Sequence, residues 1–388
     1  MATFKQYQKQ DGSNAWQFQA YLGIDPVTGK SVKTTRRNFK TKKEAQLALS
    51  RLQVDFEKNG LDKRQSMTFK ELYELWFEQH QKDIKPTTKQ RIKIYFDNHI
   101  LKDFGKLRIN KVTPLFCQKK LNAWALKYSS YKKMKIYVSM VFKYGILIDV
   151  VTDNPMERTI APKRKLEAVK NEVDNYYTKE ELIAFFDCLS HLKDKRAYAF
   201  FRILAFGGLR KGEAMALLWE DISFEDKTIS INKTLAELQS GKPIIQDTKT
   251  ESSNRTIKLD DRSISILKDW KNYILQEKLR LGIRDKNFSK SVVFCNSVLK
   301  SENQYLYKSY ANNVMKKVAN HFPDMKIIKV HDFRKTNASL LFESGASIKD
   351  VSQRLGHKST KITTDIYIMV TQTKQDETAA NFAKYMAF

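Results

Sequence analysis

Four separated segments of the chain carry the residue types needed to work on a phosphodiester. "AFGGLRKGEAMALLWEDI" supplies Arg210, just after Gly207 and Gly208, with Glu213 three residues further on. "TKTESSNRTIKL" supplies Lys249, and "HDFRKTNASLL" supplies His331 and Arg334. "LGHKSTKITTDIYIMV" supplies His357 and, ten residues later, Tyr367. Two arginines, one lysine and two histidines can surround a phosphate with five donors, and a tyrosine hydroxyl can attack it. Taken singly, each piece has an ordinary reading. Gly-Gly-Leu-Arg can be a tight helix junction with a surface arginine, and Lys249 a turn lysine. His331 and Arg334 can be a solvated pair on one helix face. Leu355-Gly356-His357 can be a helix end, with glycine at the C-cap and histidine near the last carbonyls. Tyr367 is one of 17 tyrosines, and a buried tyrosine with a satisfied hydroxyl is the ordinary outcome. It is the ordered combination that is specific. The chain has no P-loop, no G-x-G-x-x-G, no H-E-x-x-H, and no D-D-E set that can be placed for a two-metal nuclease.

These residues sit in a strongly basic chain. Its 388 residues hold 70 Lys plus Arg against 43 Asp plus Glu, a net charge of +27. The excess is +7 over residues 1–64, +12 over 65–165 and +8 over the rest, so it is not confined to one tail. A folded basic chain of pI near 9.7 points to a polyanion, because each cation placed on a phosphate releases condensed counterions. An acidic membrane surface is the weaker competitor, with no strongly amphipathic basic helix standing alone at either terminus. The longest apolar stretch, around Ala199–Leu209, runs about eleven residues and contains Arg202, well short of a membrane span. Cys117, Cys188 and Cys295 are odd in number and far apart, which argues against a disulfide framework or a cysteine-based zinc site. A reducing cytoplasm is the expected compartment.

The elements that must position these residues are legible in outline. "TFKQYQ", "AWQFQAYLG" and "KSVKTTRRNF" read as three strands, separated by turns at Asp11-Gly12-Ser13 and at Asp25-Pro26 with Gly29. Trp16, Phe18 and Ala20 share one face by the two-residue period. Thr41 and Glu44 form a capping box that opens a helix to about Lys58. A helix on the back of such a sheet leaves the other face open, and that face or its rim carries Lys33, Arg36 and Arg37. Gly60 to Ser66 reads as a linker. Thr68 with Glu71 opens a helix with Phe69, Leu72, Leu75 and Trp76 as its apolar stripe. Pro86-Thr87-Thr88 starts the next helix, Thr113-Pro114 a third, and Ser129 or Ser130 caps a fourth through Tyr144. Asp153-Asn154-Pro155 closes this helical domain, and a polar linker follows. Thr178 and Glu181 open a mainly helical region, interrupted between Lys227 and Lys258 by a small antiparallel sheet with a Ser240-Gly241 turn. Near the end, Ala379, Phe382, Ala383 and Met386 are spaced for one apolar face of a short helix.

The second half of the chain resembles the catalytic domain of the tyrosine recombinases, the phage-integrase family. Arg210 and Glu213 match the family's "TGLR-x-x-E" segment, and Lys249 falls on its β-hairpin lysine. His331 and Arg334 match its H-x-x-R box, His357 its "LGH", and Tyr367 its nucleophile. Lys335 and Asn337 stand where histidine is often seen, and "DIYIMV" replaces the commoner "Y-x-H-V". The four-helix segment resembles the family's core-binding domain. The first sixty residues resemble the arm-binding sheet domain of integrases from Gram-positive phages and conjugative transposons.

The resemblance implies a multi-domain fold, mainly α with small β-sheets. Residues 1–62 would be an arm-type DNA-binding domain, 66–155 a helical core-binding domain, 156–175 a linker and 176–388 an α+β catalytic domain with its C-terminal tail. It implies site-specific integration and excision of a mobile element through a 3′-phosphotyrosyl intermediate. Tyr367 would attack, Arg210 and Arg334 would grip the non-bridging oxygens, and Lys249 would protonate the leaving 5′-oxygen. His331 would assist proton transfer, His357 would donate to a phosphate oxygen, and Glu213 would orient a neighbour. No metal, cofactor or ATP is expected. The expected partners are double-stranded DNA at core and arm sites, further copies forming a tetramer on DNA, and an excisionase or a DNA-bending protein. A resolvase-type recombinase, a type IB topoisomerase and a non-catalytic DNA-binding regulator are the alternatives, the first disfavoured by the arm-like residues 1–60.

Overall fold

The structure is a computed structural model that describes residues 2–10, 12–24, 31–59, 67–163, 175–238, 240–247, 253–283, 287–296, 305–357, 359–372 and 386. The turn expected at Asp25-Pro26, the linker from Gly60 to Ser66, Lys249, the later part of the 156–175 linker, and Ala379, Phe382 and Ala383 lie outside these residues. Met386 is described and exposed. The chain divides into two compact units, Met1–Lys165 and Leu166–Phe388.

Alternation in the first sixty residues produces an antiparallel sheet of β1 (Ala2–Gln8), β2 (Asn14–Ile24) and β3 (Ser31–Phe39), in that spatial order. Gly12, at φ 80°, turns the chain between the first two strands. The helix α1 (Lys42–Asn59) starts where expected: Thr41 Oγ1 accepts the Glu44 N–H at 3.1 Å, and Glu44 reaches back to the Lys40 N–H at 2.8 Å. Phe18 and Ala20 of the sheet bury against Ala45 and Leu49 of the helix, with Trp16 packed beside them. Lys33, Arg36 and Arg37 are exposed on β3, which is an edge strand. Lys33 pairs with Tyr21 and Arg36 with Phe18, so the register puts Arg36 on the helix-side face at the rim.

The remainder of the first unit is helical: α2 (Phe69–His80), α3 (Pro86–Tyr95), α4 (Leu101–Phe104), α5 (Pro114–Lys127) and α6 (Tyr131–Leu147). A π-helical stretch, Phe96–Ile100, joins α3 to α4 without a break. Thr68 and Glu71 form the expected box, and Thr113 caps α5 through the Phe116 N–H. Each such cap contributes about 1 kcal/mol. Phe69, Phe104 and Phe142 meet at the centre, with the Phe69 ring 5.3 and 5.5 Å from the other two. Each fully buried phenylalanine of this kind contributes about 1.5–3 kcal/mol. Two expectations are corrected. Leu75 is exposed, and the α2 stripe is completed instead by Tyr73 and Phe77, because the buried face is wider than one ridge. Residues 156–163 belong to the helical core rather than to an exposed linker: Met156 and Thr159 are buried, and Gln118 and Lys135 bond the backbone at Ile160 and Thr159.

The second unit begins with α7 (Lys179–His191), opened by the Thr178–Glu181 box, followed by α8 (Lys195–Gly207) and α9 (Lys211–Ala216). Next come β4 (Ile222–Ser223), β5 (Thr228–Ile231), β6 (Lys233–Glu237), β7 (Pro243–Asp247) and β8 (Arg255–Lys258). They form a β4-β5-β8 sheet and a β6-β7 hairpin, with Gly241 at φ 78° in the hairpin turn. The rest is helical: α10 (Asp261–Arg280), α11 (Tyr310–His321), α12 (Asp332–Glu343), α13 (Ile348–Leu355) and α14 (Thr360–Gln372). Phe185, Phe201 and Phe333 anchor the core, into which Ile229, Ile231 and Ile257 point from the sheet. No helix among the described residues is long and apolar enough to cross a membrane.

Candidate active site

Apolar packing drives α8 through the core until Gly208 stops it. Gly208 adopts the left-handed conformation, φ 64°, and a Cβ there would lie 2.6 Å from Leu355 Cδ2 and 2.7 Å from Asn337 Oδ1. Only glycine meets both demands. The turn delivers Arg210 to the N-terminus of α9, where Glu213 grips it twice: Oε2 accepts its backbone N–H at 2.9 Å and Oε1 its Nη1 at 2.6 Å. Glu213 is buried, and a second guanidinium, that of Arg255, donates to its Oε2 at 2.9 Å. Burial works against ionisation of this carboxyl, yet Arg255 and Arg210 together hold it below the usual carboxylate range. Glu213 therefore stands as a fixed anion that orients arginines.

α12 supplies the next two groups. His331 is exposed at its N-terminus, whereas Arg334, one turn in, is 4 % exposed. Arg334 donates from Nη1 to the Gly208 carbonyl at 2.8 Å and from Nη2 to the Leu355 carbonyl. Two of its five N–H donors thus fasten it to the ends of α8 and α13. Burial, then Arg210 and Arg255, push its pKa down to about 9, which leaves it a cation at neutral pH.

α13 ends as its sequence suggests, with Gly356 at φ 64° and the His357 N–H returning to the Ser352 carbonyl. The His357 side chain bonds not to the last carbonyls but, through Nδ1, to the buried Thr363 Oγ1 at 2.8 Å. Burial and then Arg334, Arg210, Arg255 and His331 lower its pKa to about 4. His331 is lowered as well, by desolvation first and Arg334 next. α14 packs against α12 and α13. It presents Tyr367 with 37 % exposure, the ring edge-on to Phe342 of α12 at 5.2 Å.

Arg210, Glu213, His331, Arg334 and His357 are thus brought together from α9, α12 and the end of α13, with Tyr367 on α14, which packs against α12 and α13. Lys249 lies between β7 and β8, outside the described residues. Sequence reasoning missed Arg255, which is buried between Glu213 and α13. The signal was present: Arg255 shares the two-residue period with the buried Ile257 and Leu259, so alternation aims it inward. Asn337, noted only as a departure from histidine, is buried and ties the Ala205 and Phe206 carbonyls to α12. Lys335, the other departure, stands 3.6 Å from Asp332.

The chemistry follows from the charge balance. Arg210 and Arg255 donate to the carboxylate of Glu213, Arg334 lies beside them, and burial first, then these arginines, lower both histidines. Such a cluster is complementary to an oxyanion, above all to a phosphoryl group that gains charge in a pentacoordinate transition state. A cluster of this kind suits an enzyme that acts on a phosphodiester.

Residues 175–374 match the Phage integrase family, residues 68–125 the Phage integrase, N-terminal SAM-like domain, and residues 4–56 the Arm DNA-binding domain; the chain belongs to the phage integrase family. It is 27% identical over 373 residues to the ICEBs1 integrase of Bacillus subtilis (strain 168), covering 94% of this chain and 95% of that one. It is 26% identical over 335 residues to the integrase of Staphylococcus phage L54a, covering 80% and 91%. The fold is similar to the Tn1549 transposon integrase solved with transposon right end DNA, with TM-score 0.59, 18% identity and coverage of 81% and 100%. It is also similar to a lambda integrase dimer bound to a COC′ core site, with TM-score 0.55, 16% identity and coverage of 93% and 94%. The protein is a site-specific tyrosine recombinase, an enzyme that cuts and rejoins DNA in the integration of mobile elements. The reading as a non-catalytic regulator is set aside.

Proposed function

We propose that Tyr367 is the nucleophile and that the arginine cluster holds the scissile phosphate. The observation that carries this is the surplus of cations around one carboxylate, which an entering phosphodiester would neutralise. The tyrosine oxygen forms a bond to phosphorus, the bond from phosphorus to the 5′-oxygen breaks, and a 3′-phosphotyrosyl link remains. Arg210 and Arg334 stabilise the equatorial oxygens, and His357 donates to one of them. The tyrosine proton passes by way of His331, and Lys249 protonates the departing 5′-oxygen. The phosphotyrosine conserves the energy of the broken bond, so rejoining is the same reaction reversed and needs no ATP or metal.

Around this chemistry, residues 1–62 with Lys33, Arg36 and Arg37 bind distal arm-type DNA, residues 66–163 and 176–388 bind the core site, and 164–175 connect them. The three family matches support that division. Solved lambda integrase is a tetramer on a Holliday junction, which supports assembly of this chain into a tetramer on paired DNA sites. An excisionase and a DNA-bending protein complete the set of partners for the excision direction, in the cytoplasm of a bacterial host. Arg210→Lys and Arg334→Lys test the clamp, because a point charge cannot reproduce a planar fork. Each should slow cleavage of a nicked core-site duplex by about 10²-fold or more while DNA affinity changes little. Wild-type rates for both substitutions would remove the phosphate-clamp assignment.

A further inference from the structure

Glu213 touches two guanidinium groups, and only one of them lies in the motifs that mark the phosphate pocket. The other is Arg255, the first residue of β8, paired across the sheet with Ile231. Its side chain is 6 % exposed, and its donors are all directed inward. Nη2 donates to Glu213 Oε2 at 2.9 Å, Nε to the Arg354 carbonyl at 2.8 Å, and Nη1 to the Ser253 carbonyl at 3.1 Å. The Arg354 carbonyl directly precedes the Leu355 carbonyl that anchors Arg334, and three residues beyond it stands His357. One rigid plane therefore bridges two arms of the site, the α9 arm that carries Arg210 and the α13 end that carries His357.

We propose that Arg255 is a positioning residue for strand cleavage: by holding Glu213 and the Arg354 carbonyl at fixed separation, it sets Arg210 against His357 and Arg334. This rests on the reading of Arg210 as a phosphate clamp. Oε2 of Glu213 accepts both Arg255 and the backbone N–H of Arg210, and Oε1 accepts Arg210 Nη1, so Arg255 is what ties the carboxylate that orients Arg210 to the end of α13. Without it, Glu213 keeps its two contacts to Arg210 but loses the tie to α13, so the α9 arm and Arg210 can shift relative to His357 and Arg334. A displacement of about 1 Å in such a site can cost about 10²-fold in rate. Arg255 itself has its edges on protein acceptors, so its effect on the phosphate is exerted through Glu213.

The test uses the full chain with a nicked core-site duplex that traps the cleaved state. Single-turnover cleavage at saturating DNA, DNA affinity and the unfolding midpoint are measured for Arg255→Gln, Arg255→Lys, Glu213→Gln and the double variant Arg255→Gln/Glu213→Gln. Arg255→Gln should cleave about 10–10²-fold more slowly, with affinity within about threefold of wild type because many other cations hold the backbone. Arg255→Lys should fall between, since an ammonium can pair with Glu213 but cannot also reach the Arg354 carbonyl. The double variant should be no slower than the slower single, because both changes cut one link. A purely structural Arg255 would lower stability, leave the rate per folded molecule unchanged, and multiply with Glu213→Gln. A folded Arg255→Gln that cleaves at the wild-type rate, or multiplying effects in the double variant, would overturn the proposal. Should Arg255→Gln not fold, Arg255→Lys with and without Glu213→Gln gives the same comparison, and a wild-type rate or multiplying effects there overturn the proposal equally. Arg210→Lys alongside separates the two layers. If it is slow while Arg255→Gln is not, only the positioning role fails; if it is itself wild type, the clamp reading fails.

Discussion

Arg334 is an anchor in the structure and, in the proposed mechanism, a phosphate ligand. Its contacts with the Gly208 and Leu355 carbonyls leave no mark in the sequence, because any residue supplies a carbonyl. The H-x-x-R spacing was legible; the burial that makes the arginine rigid was not. His357 shows the same division. Its place after Leu355-Gly356 was readable, but its bond to Thr363 and its neutral state depend on groups brought in from α14, α9, α12 and β8. That neutral state has a consequence for stability. In the folded chain His357 titrates at about 4, below the ordinary 6.5 that it regains on unfolding. The unfolded state therefore binds more protons between those values, and stability falls as pH drops through that window, levelling below it. His331, shifted in the same direction, steepens the fall. Glu213 and Asp260, whose carboxyls are held low, add their own loss further down, as pH passes below the usual carboxylate range. Denaturant unfolding should give a lower midpoint at about pH 5 than at about pH 7, and His357→Asn should narrow the gap. Equal wild-type midpoints would contradict a neutral, half-buried His357.

Elements were legible wherever local chemistry decides them. The Thr68–Glu71 and Thr178–Glu181 boxes and the Thr113-Pro114 start are satisfied as hydrogen bonds between neighbours in sequence, so short spacing was enough to find them. The strands between Lys227 and Lys258 were found by alternation in the same way, although they form two sheets rather than one, β5 and β8 joining β4 and β6 pairing with β7. What escaped was decided across the fold: the packing of residues 156–163 on the helical core, the exposure of Leu75, and the inward aim of Arg255. Gly208 belongs to both kinds, a readable helix stop whose close neighbours come from α12 and α13. Gly208→Ala should destabilise the protein by about 1–3 kcal/mol from backbone strain alone. The displacement of Leu355 and Asn337 adds to this and disturbs the carbonyl that anchors Arg334. Gly345→Ala is the matched control, because its φ is +91° but nothing lies within 4 Å of the added Cβ. Urea denaturation should show a larger loss for Gly208→Ala, accompanied by slower cleavage. Equal losses and an unchanged cleavage rate would show that the helix junction does not support the site.

At the scale of the molecule, a charge of +27 spread over the whole chain fits an enzyme that holds DNA at more than one place. The match of residues 4–56 to the Arm DNA-binding domain and the exposed cations of β3 support the proposal that the N-terminal sheet makes the distal contact. Deleting residues 1–62 should leave core-site cleavage measurable while abolishing protection of distal DNA in footprints. Identical footprints for full-length and truncated protein would remove the arm role from that sheet. In the proposed mechanism, the arginine cluster and the DNA-binding domains serve one oxygen atom, that of Tyr367 on α14. Incubation with a nicked core-site duplex, followed by denaturing electrophoresis, reads that atom directly. The wild-type chain should form a covalent protein–DNA adduct, and Tyr367→Phe should form none while binding the duplex with nearly unchanged affinity. An adduct at the wild-type level from Tyr367→Phe would contradict the assignment of the nucleophile.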